Sequence, residues 1–447
     1  MPVEPVVDRV VVAGSTRAKP PPAPAGAVES PRSLLASTLA ETRRTAAALR
    51  GAGRGSILAA VSLGWGLSMG IRLAFPPLLP AIREALGLDL TTAGLLITLL
   101  WLAYAVGQLP GGILADRFGE RNVLVASATL GLLTIGLVVT SVGLGPLLVG
   151  TVLFGLATGL YAPTRFTMVT DIYPDRGATA MGVISAAGNL GASLLPVGAG
   201  LVAATLGWRA GLGVWTPAFV ITAVWLFRVV PRRTSERAGV GAPATTTRRV
   251  LGAVTRPAVR RGTLQMLFME IVFLSFTGFY PTYLVAVKGL GTGTAATVYG
   301  IFFATGIVVQ PVAGAVGDRF GPRYTMAAAA AFTVATLAAL PAVNGVVPLA
   351  LLTVLITAQM GFWPIAQTAV IEALPTAVQG SGFGVIRTAY LLVAAGGPVV
   401  VGRIADEGYF ETAFLLLAGV AVIPFLLSFG WPSGPVAAVR SEPAGDP

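Results

Sequence analysis

The chain has 447 residues, of which 55% are hydrophobic and only 11% charged, against about 25% charged in a soluble domain. Most of it therefore avoids water, and the class that fits is a polytopic membrane protein. The formal charge of +11 does not indicate a nucleic-acid binder, because the basic residues sit between apolar runs and not along one face. Cys and His are both absent, which removes disulfides, thiol chemistry, the usual zinc ligands and any histidine proton relay.

In chain order, residues 1–55 are polar and proline-rich (KPPPAPAG at 19–26) and lack the apolar core of a cleaved signal, so they predict a disordered cytoplasmic tail. Within it Leu35, Leu39, Ala46 and Leu49 share one helical face, which predicts an amphipathic lead into the first span. Apolar runs then occupy 56–81, 90–115, 120–142, 145–170, 178–205, 209–230, 263–287, 293–317, 322–343, 346–371, 379–404 and 409–431. Each exceeds the ~20 residues that cross ~30 Å of hydrocarbon. The predicted fold class is all-α, with twelve transmembrane helices in two pseudo-symmetric six-helix bundles, at 56–230 and 263–431. The join at 231–262 carries Arg232, Arg233, Arg237, Arg248, Arg249, Arg256, Arg260 and Arg261 and reads as a basic cytoplasmic linker; 432–447 reads as a second cytoplasmic tail.

Orientation follows from the 30 Lys and Arg residues. With span ends assigned to the adjoining loop, 23 fall on the side of the two tails and the linker, four (Arg83, Arg209, Lys288 and Arg403) fall on the other, and three lie inside spans. The positive-inside rule puts both termini in the cytoplasm, so the expected location is a cell membrane.

An internal repeat organises the whole. QLPGGILADRFGERNV at 108–123 returns as QPVAGAVGDRFGPRYT at 310–325, with seven of sixteen positions identical. At the same offset of 202, GVI at 182–184 returns at 384–386, followed by Pro196/Pro398 and Gly200/Gly402. Between these blocks APTRFTMVTDIYP (162–174) answers WPIAQTAVIEALP (363–375). Three blocks in register indicate a tandem duplication.

The turn GGILADRFGER, its second copy and the 6+6 layout resemble the major facilitator superfamily of secondary transporters, over about residues 56–431. The resemblance implies alternating access around a central site, with Gly112, Asp116, Arg117, Gly119 and Arg121, and Asp318, Arg319, Gly321 and Arg323 in the second copy, acting as a cytoplasmic latch. Asp116 at a span end can face the positive N-terminus of a neighbouring helix, while Arg117 and Arg121 pair with acids such as Asp171 or Asp175. This chain departs from the family's pattern at Glu120 and Pro322, where a second basic residue often follows the glycine. It departs again at Thr151, and at Leu195–Pro196 in the fifth span, where multidrug members usually carry an Arg and a Gly-Pro pair.

Four ionisable residues are predicted inside spans: Arg72, Arg165, Glu270 and Arg387. A charge at the bilayer centre costs at least ~2.5 kcal/mol on insertion scales, so such groups face a cavity and serve a pathway. Three positive charges against one negative leave guanidinium groups free for a carboxylate or phosphate. The expected cargo is a small organic or inorganic anion, clamped by Arg72 and Arg387, with Arg165 lining the cytoplasmic exit. Tyr161, Tyr280, Trp363, Gln367 and Tyr390 complete the candidate lining, with Trp65, Tyr283 and Gln359 beside them. Glu270 is the expected proton carrier if protons are the coupling ion. Rival readings are a proton-coupled multidrug or amphiphile exporter, with its arginines tied up in ion pairs, and a non-transporting membrane sensor. The sequence offers no nucleophile with a base, no phosphate-binding glycine loop and no metal cluster, so no enzyme, cofactor or metal is expected, and a monomer is the expected state.

Overall fold

The computed structural model describes residues 51, 54–174, 176–232 and 252–431. The amphipathic lead, most of the 231–262 linker, Asp175 and the tail after 431 lie outside the described residues. Every described span is helical, and among the described residues twelve helices are long and apolar enough to cross a membrane. In chain order they are α1 (Arg54–Leu86), α2 (Leu90–Phe118), α3 (Glu120–Val139), α4 (Leu144–Ile172), α5 (Gly177–Leu206) and α6, which is split into α6a (Trp208–Gly213) and α6b (Thr216–Val229). The second six are α7 (Pro257–Ala286), α8 (Thr292–Phe320), α9 (Pro322–Ala339), α10a (Val346–Ile356) with α10b (Phe362–Ala373), α11a (Gln379–Ala394) with α11b (Gly397–Asp406), and α12 (Phe410–Ser428).

Where spans break, the cause is in the sequence. Pro364 has no N–H for residue 360 and its ring crowds that carbonyl, so the backbone tightens to a 3₁₀ turn at Thr357–Gly361 between α10a and α10b. Pro398 interrupts the eleventh span in the same way, and Ala395 and Gly396 close the gap by donating to Leu391 and Val393. Pro76, Pro77 and Pro80 lie within α1 without ending it, and the helix runs on to Leu86.

The repeat is visible as geometry. Gly119 closes α2 and opens α3 at φ 85°, and Gly321 does the same between α8 and α9 at φ 84°. This region excludes most side chains, which is why a glycine stands at the same place in each copy. Beside each turn the same cation–ring contacts recur 202 residues apart. Arg117 lies 5.4 Å over Phe118 and Arg319 lies 5.3 Å over Phe320; Arg121 lies 4.9 Å over Phe227 and Arg323 lies 5.4 Å over Phe429.

Within the first six helices, small residues let backbones approach. A Cβ at Gly191 on α5 would lie 2.8 Å from the Gly66 Cα on α1, and one at Gly159 on α4 would lie 2.9 Å from the Gly107 Cα on α2. Van der Waals packing of this kind is the main attraction between helices in lipid, where no hydrophobic drive exists between them. Large apolar side chains such as Leu133, Leu194 and Leu416 stay exposed on the outer surface, as a hydrocarbon solvent permits.

The two sets of six helices meet mainly at the end remote from the DRFG turns. There Gly94 on α2 packs on Pro398 and Val399, the Val399 N–H donates to Thr98 Oγ1 (3.3 Å), and Gly402 packs on Leu90. On the opposite flank Gly200 on α5 packs on Ala296 of α8, and Ser193 donates to the Gly300 carbonyl (3.3 Å).

Candidate functional site

Arg72 lies midway along α1, with none of its surface exposed. One terminal nitrogen donates to Ser68 Oγ at 3.1 Å and the other to Met69 Sδ at 3.6 Å, both from its own helix. Its Cζ sits 3.9 Å from the Tyr104 ring centroid, 5.5 Å from Trp101 and 5.7 Å from Trp65. Trp101 and Tyr104 hold an edge-to-face contact with each other. Three rings thus surround one cation, and its Nε is buried without a hydrogen-bond partner.

Arg165, on α4, reaches the same place. Its position in the sequence predicts a side chain extended toward the cytoplasmic interface; instead its Cζ lies 3.2 Å over the Trp65 ring and only 4% of the residue is exposed. Stacking on a desolvated ring is worth ~2 kcal/mol or more, and Pro163 and Thr164 keep this stretch of α4 buried against α2. Its Nε and Nη1 have no hydrogen-bond partner. Neither Arg72 nor Arg165 forms an ion pair with an acid among the described residues.

The second half supplies the rest. Arg387 on α11a repels Arg72 and Arg165 and is attracted by Glu270 on α7. α7 begins at Pro257, six residues before the predicted start of that span, so Glu270 lies ~20 Å along a 30-residue helix, near its middle. Tyr390, one turn after Arg387, feels both charges and stacks on Trp363 of α10b at 6.3 Å. Tyr104 is near all three guanidinium groups. The cluster therefore joins α1, α2 and α4 to α7, α10b and α11a, with three cations and one anion.

The other predicted lining residues are placed differently. Tyr161 donates its phenol to the Val61 carbonyl (2.9 Å), bolting α4 to α1 beside Arg165. Tyr280 is bonded to Thr353 (2.6 Å) and stacked on Phe276, so the second half satisfies it internally. Gln367 is half-buried on α10b. Gln359, in the 3₁₀ break, donates to Met269 Sδ at 3.6 Å, and its Oε1 has no hydrogen-bond partner. Of the latch residues, Asp116 and Asp318 are exposed at the ends of α2 and α8, Gly112 and Asp171 are half-buried, and the arginines lie on the rings described above.

Sequence reasoning missed Tyr104 and Trp101. In TLLWLAYAVGQ they look like any aromatic pair packing between helices, and nothing in the string announces that Arg72 lies opposite. It also missed Asp406, whose partners are more than 300 residues away.

Known proteins supply a frame for this geometry. The chain is 26% identical over 391 residues to the hexuronate transporter of Bacillus subtilis, covering 82% of this chain and 90% of that one. It is equally identical, over 390 residues, to the multidrug resistance protein MdtG of Escherichia coli, with 80% and 89% covered. Among solved structures, a bacterial homolog of the human lysosomal transporter Spinster, inward-facing and occupied, superposes with a TM-score of 0.72 at 16% identity, covering 87% of this chain and 97% of that one. The nucleoside transporter NupG superposes with a TM-score of 0.69 at 14% identity, covering 84% of this chain and 100% of that one. The model of the Major Facilitator Superfamily matches residues 56–397 and 292–445. The fold, the internal repeat and this match agree: the chain is an integral multi-pass membrane transporter belonging to the Major Facilitator Superfamily.

Proposed function

We propose that the chain moves a small organic or inorganic anion by alternating access, with Arg72, Arg165 and Arg387 as its receptors. The observation that carries this reading is the set of buried, unpartnered donors, Arg72 Nε with Arg165 Nε and Nη1, on cations that form no ion pair with an acid among the described residues. Burying a donor without a partner costs ~1–3 kcal/mol, more for a charged group, and a carboxylate or phosphate between the guanidinium planes removes that cost. Tyr104 lies 3.9 Å from the Arg72 guanidinium carbon and Trp65 lies 3.2 Å from that of Arg165, which leaves the unpartnered N–H groups for the cargo. The hexuronate transporter carries an acid by name, which agrees with this chemistry.

Glu270 is the proposed proton carrier. Loading a proton there removes the group that attracts Arg387 and so frees that cation for the anion, which couples the two cargoes through one side chain. The DRFG turns and both termini are assigned to the cytoplasm, on the charge asymmetry of the loops. The state described is then inward-facing, since the halves meet at the other end. In the opposite state the DRFG turns would act as the latch, with 56–230 and 263–431 rocking as two bodies about the arginine cluster.

Uptake into proteoliposomes tests the reading, across a panel of carboxylates, phosphates and cationic drugs, with and without a pH gradient. Saturable uptake of one anion class is expected. Transport of cationic drugs with none of the anions would replace this reading with drug export, the reading that the name of MdtG suggests.

A further inference from the structure

Four N–H groups at the start of any helix lack partners inside it. At the start of α2, where Ala93 N–H makes the first bond of the helix to the Asp89 carbonyl (3.1 Å), one of these donors is met locally: Thr92 N–H donates to Asp89 Oδ1 (2.7 Å). Two more are met from the far half of the molecule. Leu90 N–H donates to Asp406 Oδ1 (2.7 Å), Thr91 N–H donates to Asp406 Oδ2 (2.6 Å), and the Thr91 hydroxyl donates to the same oxygen. Asp406 is the last residue of α11b. Its carboxylate therefore caps a helix belonging to the other six, on the face where the two sets touch.

The surroundings are arranged for this contact. Gly402, one turn before Asp406, lets α11b approach so closely that a Cβ there would strike the Leu90 carbonyl. Arg83 at the end of α1 attracts both Asp406 and Asp89, and its Nε donates to the Leu88 carbonyl (3.2 Å), which braces the turn into α2. The neighbouring acid, Glu407, is spent on Arg403 of its own helix at 3.0 Å.

We propose that Asp406 is the gate residue of the face remote from the DRFG turns: its carboxylate clamps α2 to α11b, holds that face shut, and must let go for the transporter to open there. Separation exchanges three charge-assisted bonds for water, so the cap biases the equilibrium toward the closed face without locking it. The proposal rests on alternating access and not on the anionic cargo, because no residue of the clamp belongs to the arginine cluster.

The chain has no cysteine, so Leu206→Cys on α5 and Val287→Cys after α7, both exposed, place one spin label on each half near this face. Electron–electron distances are then measured in lipid nanodiscs without substrate. Asp406→Asn, which loses the charge and turns an amide toward two N–H donors, is expected to raise the ratio of separated to closed populations about five- to tenfold. Thr91→Val, which loses one hydroxyl and leaves the backbone donors, is expected to raise it about two- to threefold. Glu407→Gln is expected to leave it unchanged. If Asp406→Asn fails to fold, the Thr91→Val shift decides alone. An unchanged ratio in Asp406→Asn or in Thr91→Val overturns the gate, as does an equal shift in Glu407→Gln. Failure of anion uptake would leave all these readings intact.

Discussion

Arg72→Lys separates charge from shape at the proposed receptor. The lysine keeps the positive charge and most of the length of a side chain that is fully buried, so the change leaves little void and α1 keeps its packing. What it removes is the planar fork. At present Nη1 is spent on Ser68, Nη2 on a weak sulfur acceptor and Nε on nothing. A bound carboxylate can therefore take Nε and Nη2 together at small cost. A single ammonium offers one such bond in place of two, and it loses the guanidinium contact with the Tyr104 ring, now 3.9 Å from Cζ to centroid. One charge-assisted hydrogen bond is worth ~1.5–3 kcal/mol; a loss of ~2 kcal/mol is about a thirtyfold weaker apparent affinity. The assay is concentration-dependent uptake of the transported anion into proteoliposomes, with protein orientation and yield matched to wild type. Apparent affinity within threefold of wild type would refute the receptor role, because it would mean that any cation serves and that the fork is not used.

Other outcomes follow from the same geometry. Glu270→Gln should retain anion exchange and lose accumulation driven by a pH gradient; loss of both activities, or of neither, counts against the carrier role. Gly191→Ala puts a methyl 2.8 Å from the Gly66 Cα, between two backbones that cannot both retreat, and overpacking of this kind costs ~1–3 kcal/mol; a lower melting temperature in detergent is expected, and an unchanged one would show that α1 and α5 are looser than described. Hydrogen bonds from the Thr92 hydroxyl and backbone N–H keep the Asp89 carboxyl below the usual carboxylate range. Because that value is depressed, its capping contribution is whole above about pH 4 and fades as pH falls below it. Asp89→Ala should therefore be less stable than wild type at pH 7 and closer to it at the acid end, which thermal melts across pH would check.

Much of the fold could be read directly from the string because the bilayer enforces it. A backbone in hydrocarbon must satisfy its own hydrogen bonds, so twelve apolar runs predict twelve helices, and the repeated ADRFG and GDRFG turns mark the copies. The breaks at Gly361 and Gly396 are marked by Pro364 and Pro398. The depth of Glu270 was not legible, since Pro257, Ala258 and Val259 read as linker and yet form the first turn of α7. Nor was the reach of Arg165 legible: six residues from Asp171 it looks able to snorkel, but Trp65 on another helix offers a nearer resting place. Contacts set by helix rotation, such as Tyr104 on Arg72, depend on how two helices face each other and leave no mark on either one alone.

The duplication implies that the far face should close along two matching seams, yet it does not. Counting back 202 positions, Asp406 becomes Ala204 and Thr91 corresponds to Gly293. Where one seam has a carboxylate fastened to a helix start, the other has small residues around an opening of about 550 Å³ between Leu201 and Thr297. On the proposed rocking motion a charged edge and a plain one would not open evenly: dissolved salt would screen the carboxylate of the first, while the second would answer only to how its small residues pack.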